Sequence, residues 1–236
     1  MFTENQLSEI KKLISPEKKV VIITHYNPDG DAIGSALGLK HFLNNMGVEP
    51  TVLAPNDFPK FLKWMPDAKK VVIAEYKRKT AGEAIYKADV IFCLDFNAHN
   101  RIGILGDWLM KSWAKKILID HHQQPENFDY VYSDVTIPAT CQMVYHFIEA
   151  LGREDLVDQN VAECLYTGIM TDTGGFRFRS TSATTHRIVA NLIEKGANPA
   201  MITSNTWDTN SVSRLHLLSL ILGRIELVKD GKVAVL

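Results

Sequence analysis

The sequence predicts an α/β protein: a mainly parallel sheet flanked by helices, then a linker helix and the truncated start of a second α/β domain. Three observations predict it. Short β-branched runs alternate with helical spacing through the first half of the chain, and such strand–helix–strand units imply a largely parallel sheet covered on both faces. The runs KVVIIT (residues 19–24) and VIFCL (90–94) are apolar on both faces, as strands buried in a parallel sheet are. After residue 135 the strands stop and helical patterns take over, until a hairpin pattern closes the chain.

Taken in order, MFTENQLSEIKKL has the spacing of an amphipathic helix and lacks the basic-then-apolar order of a signal peptide. The strand at 19–24 is followed by a helix over 33–46 that stops at Gly47. Shorter strands are expected at 49–53 and 70–73, then a helix over 80–88, the strand 90–94, a helix over 106–113 and the strand KILI at 116–119. Helices follow over 139–151, 155–170 and 183–195, and another around 212–222 runs into Gly223. Residues 224–228 and 233–236 flank the turn Lys229-Asp230-Gly231-Lys232 as a hairpin would. The chain stops inside the second of these strands, so it is expected to be a fragment of a longer protein. The expected organisation is a catalytic domain over 1–205, a linker helix over 206–223 and the start of a second domain over 224–236.

The chain of 236 residues carries 26 Lys+Arg against 27 Asp+Glu, a net charge of −1. That balance lacks the basic stripe of a protein that binds long duplex nucleic acid, yet leaves room for a small anionic ligand. No apolar run approaches the ~20 residues of a membrane helix, so no membrane partner is expected. The three cysteines, Cys93, Cys141 and Cys164, are odd in number and far apart. They argue against a disulfide framework or a paired-cysteine zinc site, and for a reduced cytoplasmic compartment.

Ligands of open parallel sheets bind beyond the carboxyl ends of the strands. Three strands here finish there at ionisable residues: KVVIIT at His25-Tyr26-Asn27-Pro28-Asp29-Gly30-Asp31, VIFCL at Asp95-Phe96-Asn97, and KILI at Asp120-His121-His122. One such acid is commonly a cap or turn residue; three in one crevice are not. Asp29-x-Asp31 is no calcium loop, because Ala32 and Gly38 stand where that loop needs Gly and Glu. The dinucleotide and P-loop glycine patterns fail as well. Gly30 is expected to let this loop turn tightly between two carboxylates, and Gly34 and Gly38 to serve close helix–sheet packing. A fourth acid, Asp172, is expected where a helix ends before Gly174 and Gly175. Carboxylates ~3–4 Å apart repel unless protonated or bridged by cations. Aspartates with imidazoles and no thiolate suit Mn²⁺ or Mg²⁺, and two such ions about 3.5–4 Å apart form a clamp for phosphoryl displacement.

The motifs THYNPDGDAIGS (24–35), LDFN (94–97), DHH (120–122) and TGIMTDTGGF (167–176), in that order, resemble those of the DHH phosphoesterase superfamily. Within it the layout is similar to the branch of nano-RNases and adenosine 3′,5′-bisphosphate (pAp) phosphatases, often labelled exopolyphosphatase-related. The resemblance implies a two-metal phosphoesterase acting on very short oligoribonucleotides or pAp, with Mn²⁺ as the first choice of ion and Mg²⁺ or Co²⁺ as alternatives. It implies one ion held by His25, Asp29 and Asp95, and a second by Asp31, Asp95, His121 and Asp172, with Asp95 bridging. Asp95, His122 and Asp120 would be the catalytic set, His122 touching the scissile phosphate and Asp120 orienting its neighbours. Asn97 and Arg101 would contact phosphate. In that branch a small DHHA1 domain follows a linker helix. Its GGGH motif is absent here, and residues 224–236 would be its start. A homodimer is compatible with this reading.

The same metal core could serve a pyrophosphatase or exopolyphosphatase, or a cyclic-dinucleotide phosphodiesterase. A non-catalytic phosphate- or nucleotide-binding module is the alternative from another class, but it would need neither a bridging Asp nor a paired His. Arg177 and Arg179, alternating with Phe176 and Phe178, fit a half-exposed strand as well as phosphate binding. Residues 180–185 fit a loop and a helix N-cap. His41, His99, His146 and His216 are expected to be structural or surface groups. Trp64, Trp108, Trp113 and Trp207 are expected to pack rather than stack on bases.

Overall fold

The computed structural model describes residues 2–235. Six strands, β1 (Val20–Ile23), β2 (Thr51–Ala54), β3 (Val72–Ile73), β4 (Val90–Leu94), β5 (Lys115–Asp120) and β6 (Tyr130–Ser133), form one sheet in the order β3-β2-β1-β4-β5-β6. Every neighbouring pair is parallel. The winding direction reverses between β1 and β4, and the crevice this opens at their carboxyl ends is where such sheets bind ligands.

Both faces of the sheet are covered, which is why β1 and β4 are apolar throughout. Val20 and Ile22 of β1 join the larger core, beneath α2 (Gly30–Asn45), α5 (Thr140–Ala150) and α6 (Gln159–Asp172). Val21 and Ile23 turn to the smaller core under α3 (Arg78–Lys87) and α4 (Ile104–Lys111). The amphipathic N-terminal helix is α1 (Glu4–Leu13), started by a capping box between Thr3 and Gln6; Met1, its first expected residue, lies outside the described residues. α7 (Ala183–Glu194) starts within the segment 180–185 expected to hold a loop and an N-cap; the cap is Ser182, also with a capping box.

Helix α2 begins at Gly30, three residues before the expected start, because Asp29 caps it. Its glycines face helices, not the sheet. A Cβ on Gly34 would lie 2.6 Å from the Cys164 carbonyl oxygen, and one on Gly38 2.5 Å from the Leu165 side chain, both in α6. Gly30 sits in ordinary helical backbone rather than a tight turn, and a Cβ there would meet Thr171 Oγ1 at 2.3 Å. A stripe of small residues therefore lets α2 and α6 approach backbone to backbone.

Other differences have local causes. Strand β6 (YVYS) is too short to show alternation, and it pairs with β5 only through Ile117↔Tyr130 to Asp120↔Ser133. The expected helix 155–170 is broken: a single 3-10 turn over Glu154–Leu156 precedes Asp158, which caps α6, and α6 continues to Asp172. A short helix, α8 (Pro199–Thr206), stands where none was expected, capped by Asn198 with Pro199 in its first turn. Residues 176–179, which fitted a half-exposed strand as well as phosphate binding, form a turn, since Gly174, Gly175 and Phe176 all have positive φ (58°, 76° and 66°). Trp113, expected to pack, is fully exposed.

Beyond α8 come α9 (Val212–Leu222) and the hairpin of β7 (Glu226–Val228) and β8 (Val233–Val235), which pair antiparallel as expected. Leu236, the last residue of the expected strand, lies outside the described residues. No residue of α9 is buried, although most of its side chains are apolar.

Candidate metal centre

The acids and imidazoles expected at the site converge on the carboxyl edge of β1, β4 and β5. His25 follows β1, Asp95 follows β4, and Asp120 ends β5 with His121 and His122 next. Asp29 and Asp31 arrive on the first turn of α2, and Asp172 on the last turn of α6. Asp29 also caps α2 through a single oxygen, Oδ1, which accepts the Asp31 and Ala32 amides at 3.0 Å each. Asp95 leaves its strand with φ 64°, a left-handed conformation that Asp tolerates better than most residues and that turns its side chain off the sheet edge.

Each imidazole is tied at Nδ1. His25 Nδ1 meets the Tyr26 carbonyl at 2.8 Å, His121 Nδ1 the Ile137 carbonyl at 3.2 Å, and His122 Nδ1 the Asp120 carboxylate at 2.7 Å. Such bonds fix the ring and leave Nε2 as the free donor atom. His25 Nε2 lies 3.5 Å from Asp95 Oδ2 and 3.8 Å from Asp29 Oδ1. His121 Nε2 lies 3.5 Å from Asp95 Oδ1, 3.5 Å from Asp172 Oδ2 and 3.9 Å from Asp31 Oδ2. Three groups with donor atoms within 4.8 Å of one another result: His25, Asp29 and Asp95; Asp31, His121 and Asp172; and Asp95, His121 and His122. Asp95 is common to two of them.

Protons hold this cluster together when no cation is bound. Burial disfavours a charged His25, but Asp29 and Asp95 overcome it and raise its pKa to about 10. His121 is likewise raised to about 10, burial being outweighed by Asp95, Asp31 and Asp172. Burial opposes the charge of Asp95 too, yet the two imidazoles hold its carboxyl well below the usual range. Asp31 is pushed far up by burial and by the charges of Asp95 and Asp172. Burial raises Asp172; His121 works against that, Asp95 and Asp29 add to it, and the carboxyl ends at about 6. Asp172 also sits at a helix C-terminus, where the helix dipole disfavours an anion. A site that gathers acids against burial, repulsion and a dipole can hold cations, which relieve all three. The donors are carboxylate oxygens and imidazole nitrogens. The nearby Cys141 thiol is turned to the Asp31 backbone oxygen at 3.5 Å, so the set fits hard divalent cations rather than structural zinc.

The remaining candidates separate. Asp120, fully buried, accepts hydrogen bonds from both the His122 ring and the His122 amide. Asn97 spends its amide group on the Gln123 carbonyl at 2.7 Å, which pins the loop after DHH. Arg101 is exposed, and its carbonyl accepts the Tyr26 amide at 2.7 Å, tying the β4 loop to the β1 loop. His99 pairs with Glu126, a structural role as expected. Two contributors were not foreseen. Thr140, at the start of α5, touches both Asp31 and Asp95. Gly168 of α6 leaves room for Asp31, since a Cβ there would come 3.0 Å from Asp31 Oδ1.

A profile of the DHH family, N-terminal domain, matches residues 19–169. The chain belongs to the DHH family. It is 34% identical over 199 residues to the bifunctional oligoribonuclease and PAP phosphatase NrnA of Thermus thermophilus, covering 84% of this chain and 56% of that protein. The protein of the same name from Bacillus subtilis is 24% identical over 230 residues, covering 97% of this chain and 69% of that one. The structure of an exopolyphosphatase-related protein from Bacteroides fragilis superposes with a TM-score of 0.93 at 39% identity, over 97% of this chain and 67% of that chain. The DHH chain described here thus spans little more than half the length of the Thermus relative.

Proposed function

We propose that this DHH chain carries the metal centre of a phosphoesterase that hydrolyses very short oligoribonucleotides and pAp. The observation that carries the reading is the sharing of Asp95: one buried carboxylate has an oxygen 3.5 Å from an imidazole on either side. His25, Asp29 and Asp95 would hold one divalent cation, and Asp31, Asp95, His121 and Asp172 a second, Mn²⁺ being the ion we favour. Bound there, such ions would supply Lewis acidity towards phosphoryl oxygens and lower the pKa of water enough to provide hydroxide near neutral pH.

The chain's own groups do the rest. Asp120 takes the Nδ1 proton of His122 and so fixes the ring with its free Nε2 turned to where a phosphate would sit. Asn97 fixes the loop that carries the DHH triplet, an indirect service to that placement. Arg101 offers an exposed guanidinium at the rim. Asp31 and Asp95 are buried, so the charges on the inner wall of the centre act through less water than those of exposed Asp29. The activities by which the Thermus and Bacillus relatives are named, oligoribonuclease and PAP phosphatase, favour esters over anhydrides as substrates.

A substrate panel with Mn²⁺ tests this: dinucleotide RNA, pAp, pyrophosphate, polyphosphate and cyclic dinucleotides. Turnover of the dinucleotide and pAp above the other three is expected. Hydrolysis of pyrophosphate or polyphosphate alone would reassign the centre to anhydrides.

A further inference from the structure

Helix α5 starts without a side-chain cap of its own, because its N-cap residue is Ala139. Its first amides are taken by Asp31 of α2: Thr140 N–H donates to Oδ2 at 2.6 Å and Cys141 N–H to Oδ1 at 2.8 Å. A carboxylate at a helix N-terminus explains those two bonds. It does not explain the third. The Thr140 hydroxyl ignores its own helix and donates to Asp95 Oδ1 at 2.9 Å. One side chain thereby reaches the acid that the two ion sites share, and Thr140, Asp31 and Asp95 are all buried together.

The two oxygens of Asp95 face opposite ways, Oδ1 towards His121 and Oδ2 towards His25. The torsion that would exchange or tilt them is soft, since wells at sp³–sp² bonds are broad. A donor fixed on Oδ1 removes that freedom while occupying only one of its two lone pairs. We propose that Thr140 is a positioning residue whose hydroxyl fixes which oxygen of Asp95 each ion receives. The inference rests on the two-ion reading above and extends it to a residue outside the ligand set.

The test compares Thr140→Val, which keeps the size and β-branching but loses the hydroxyl, with Thr140→Ser, which keeps the hydroxyl. Both retain the backbone amide that holds Asp31. Metal-free full chain is titrated with Mn²⁺ and followed by electron paramagnetic resonance, which separates the two binding steps and reports a bridged ion pair. Thr140→Val should weaken by about 10–100-fold the step that His121→Ala abolishes, while Thr140→Ser stays within about threefold of wild type. Thermal melting without metal checks folding, and Thr140→Ala replaces the valine variant if that one does not fold. Unchanged binding in Thr140→Val, weakening confined to the step that His121→Ala leaves intact, or loss in Thr140→Ser as large as in Thr140→Val would overturn the proposal. A wild-type chain that binds no Mn²⁺ would overturn the two-ion reading itself.

Discussion

At the scale of single residues, neighbours in the chain do different work. His121 Nε2 sits among three carboxylates, whereas His122 is bound by Asp120 and reaches Asp95 only at 3.8 Å. His121→Ala is therefore expected to lose one of two bound ions, and His122→Ala to keep both while its turnover falls about 10²–10⁴-fold. Elemental analysis beside turnover on the two variants checks this; equal metal loss would refute the division. That His25, Asp29, Asp31, Asp95, His121 and Asp172 would converge was legible because each lies at or just beyond the end of a strand or at a helix terminus, where a motif of few residues fixes direction. Thr140 was not legible. It lies 45 residues from Asp95 and 109 from Asp31, and a threonine before an apolar helix has an ordinary explanation as a cap.

At the scale of elements, the contact of α2 with α6 sets the place of two acids, since Asp31 rides on one helix and Asp172 on the other. Gly168 of α6 faces both α2 and α5: a Cβ there would lie 2.1 Å from Cys141 Sγ of α5 and 3.1 Å from Asp31 Cα of α2. Gly168→Ala is expected to cost about 1–3 kcal/mol, or about 3–10 °C in melting temperature, and to weaken Mn²⁺ binding by moving Asp31. Adding Cys141→Ala removes the nearest obstacle and should recover part of the stability. Melting curves of the single and double variants check it, and an unperturbed Gly168→Ala would mean the helices have slack. Glycines four apart were visible in the sequence, but spacing alone does not say whether the facing surface is a sheet or a helix. Strand β6 and helix α8 were missed for a related reason: segments of four and eight residues hold too little periodicity to outweigh their flanking turn signals.

At the scale of the whole molecule, the centre couples stability to pH. His25 and His121, with pKa values raised to about 10 from 6.5, stabilise the folded metal-free protein fully below about pH 6.5, and that stability is lost as pH rises towards 10. Cations replace those protons, because an imidazole binds metal only when neutral. Metal-free chain is thus expected to melt at progressively lower temperature from about pH 6.5 to pH 9, and chain saturated with divalent cation to show little of that decline. Parallel slopes with and without metal would place the pH dependence elsewhere. The sheet was legible because buried parallel strands are apolar on both faces, and its reversal between β1 and β4 puts three acid-bearing ends side by side. What the sequence left open was the helical cover, whose register depends on contacts distant along the chain.

The sharing of Asp95 is the claim on which the rest depends, and Mn²⁺ stoichiometry measures it most directly. Metal-free chain, titrated and counted, should bind two ions. Asp95→Asn suits the left-handed backbone at φ 64° and so should fold, yet it removes the charge both sites use and should weaken both binding steps. A wild-type chain that binds a single ion, or an Asp95→Asn chain that binds two as tightly as wild type, would contradict a centre built around one shared carboxylate.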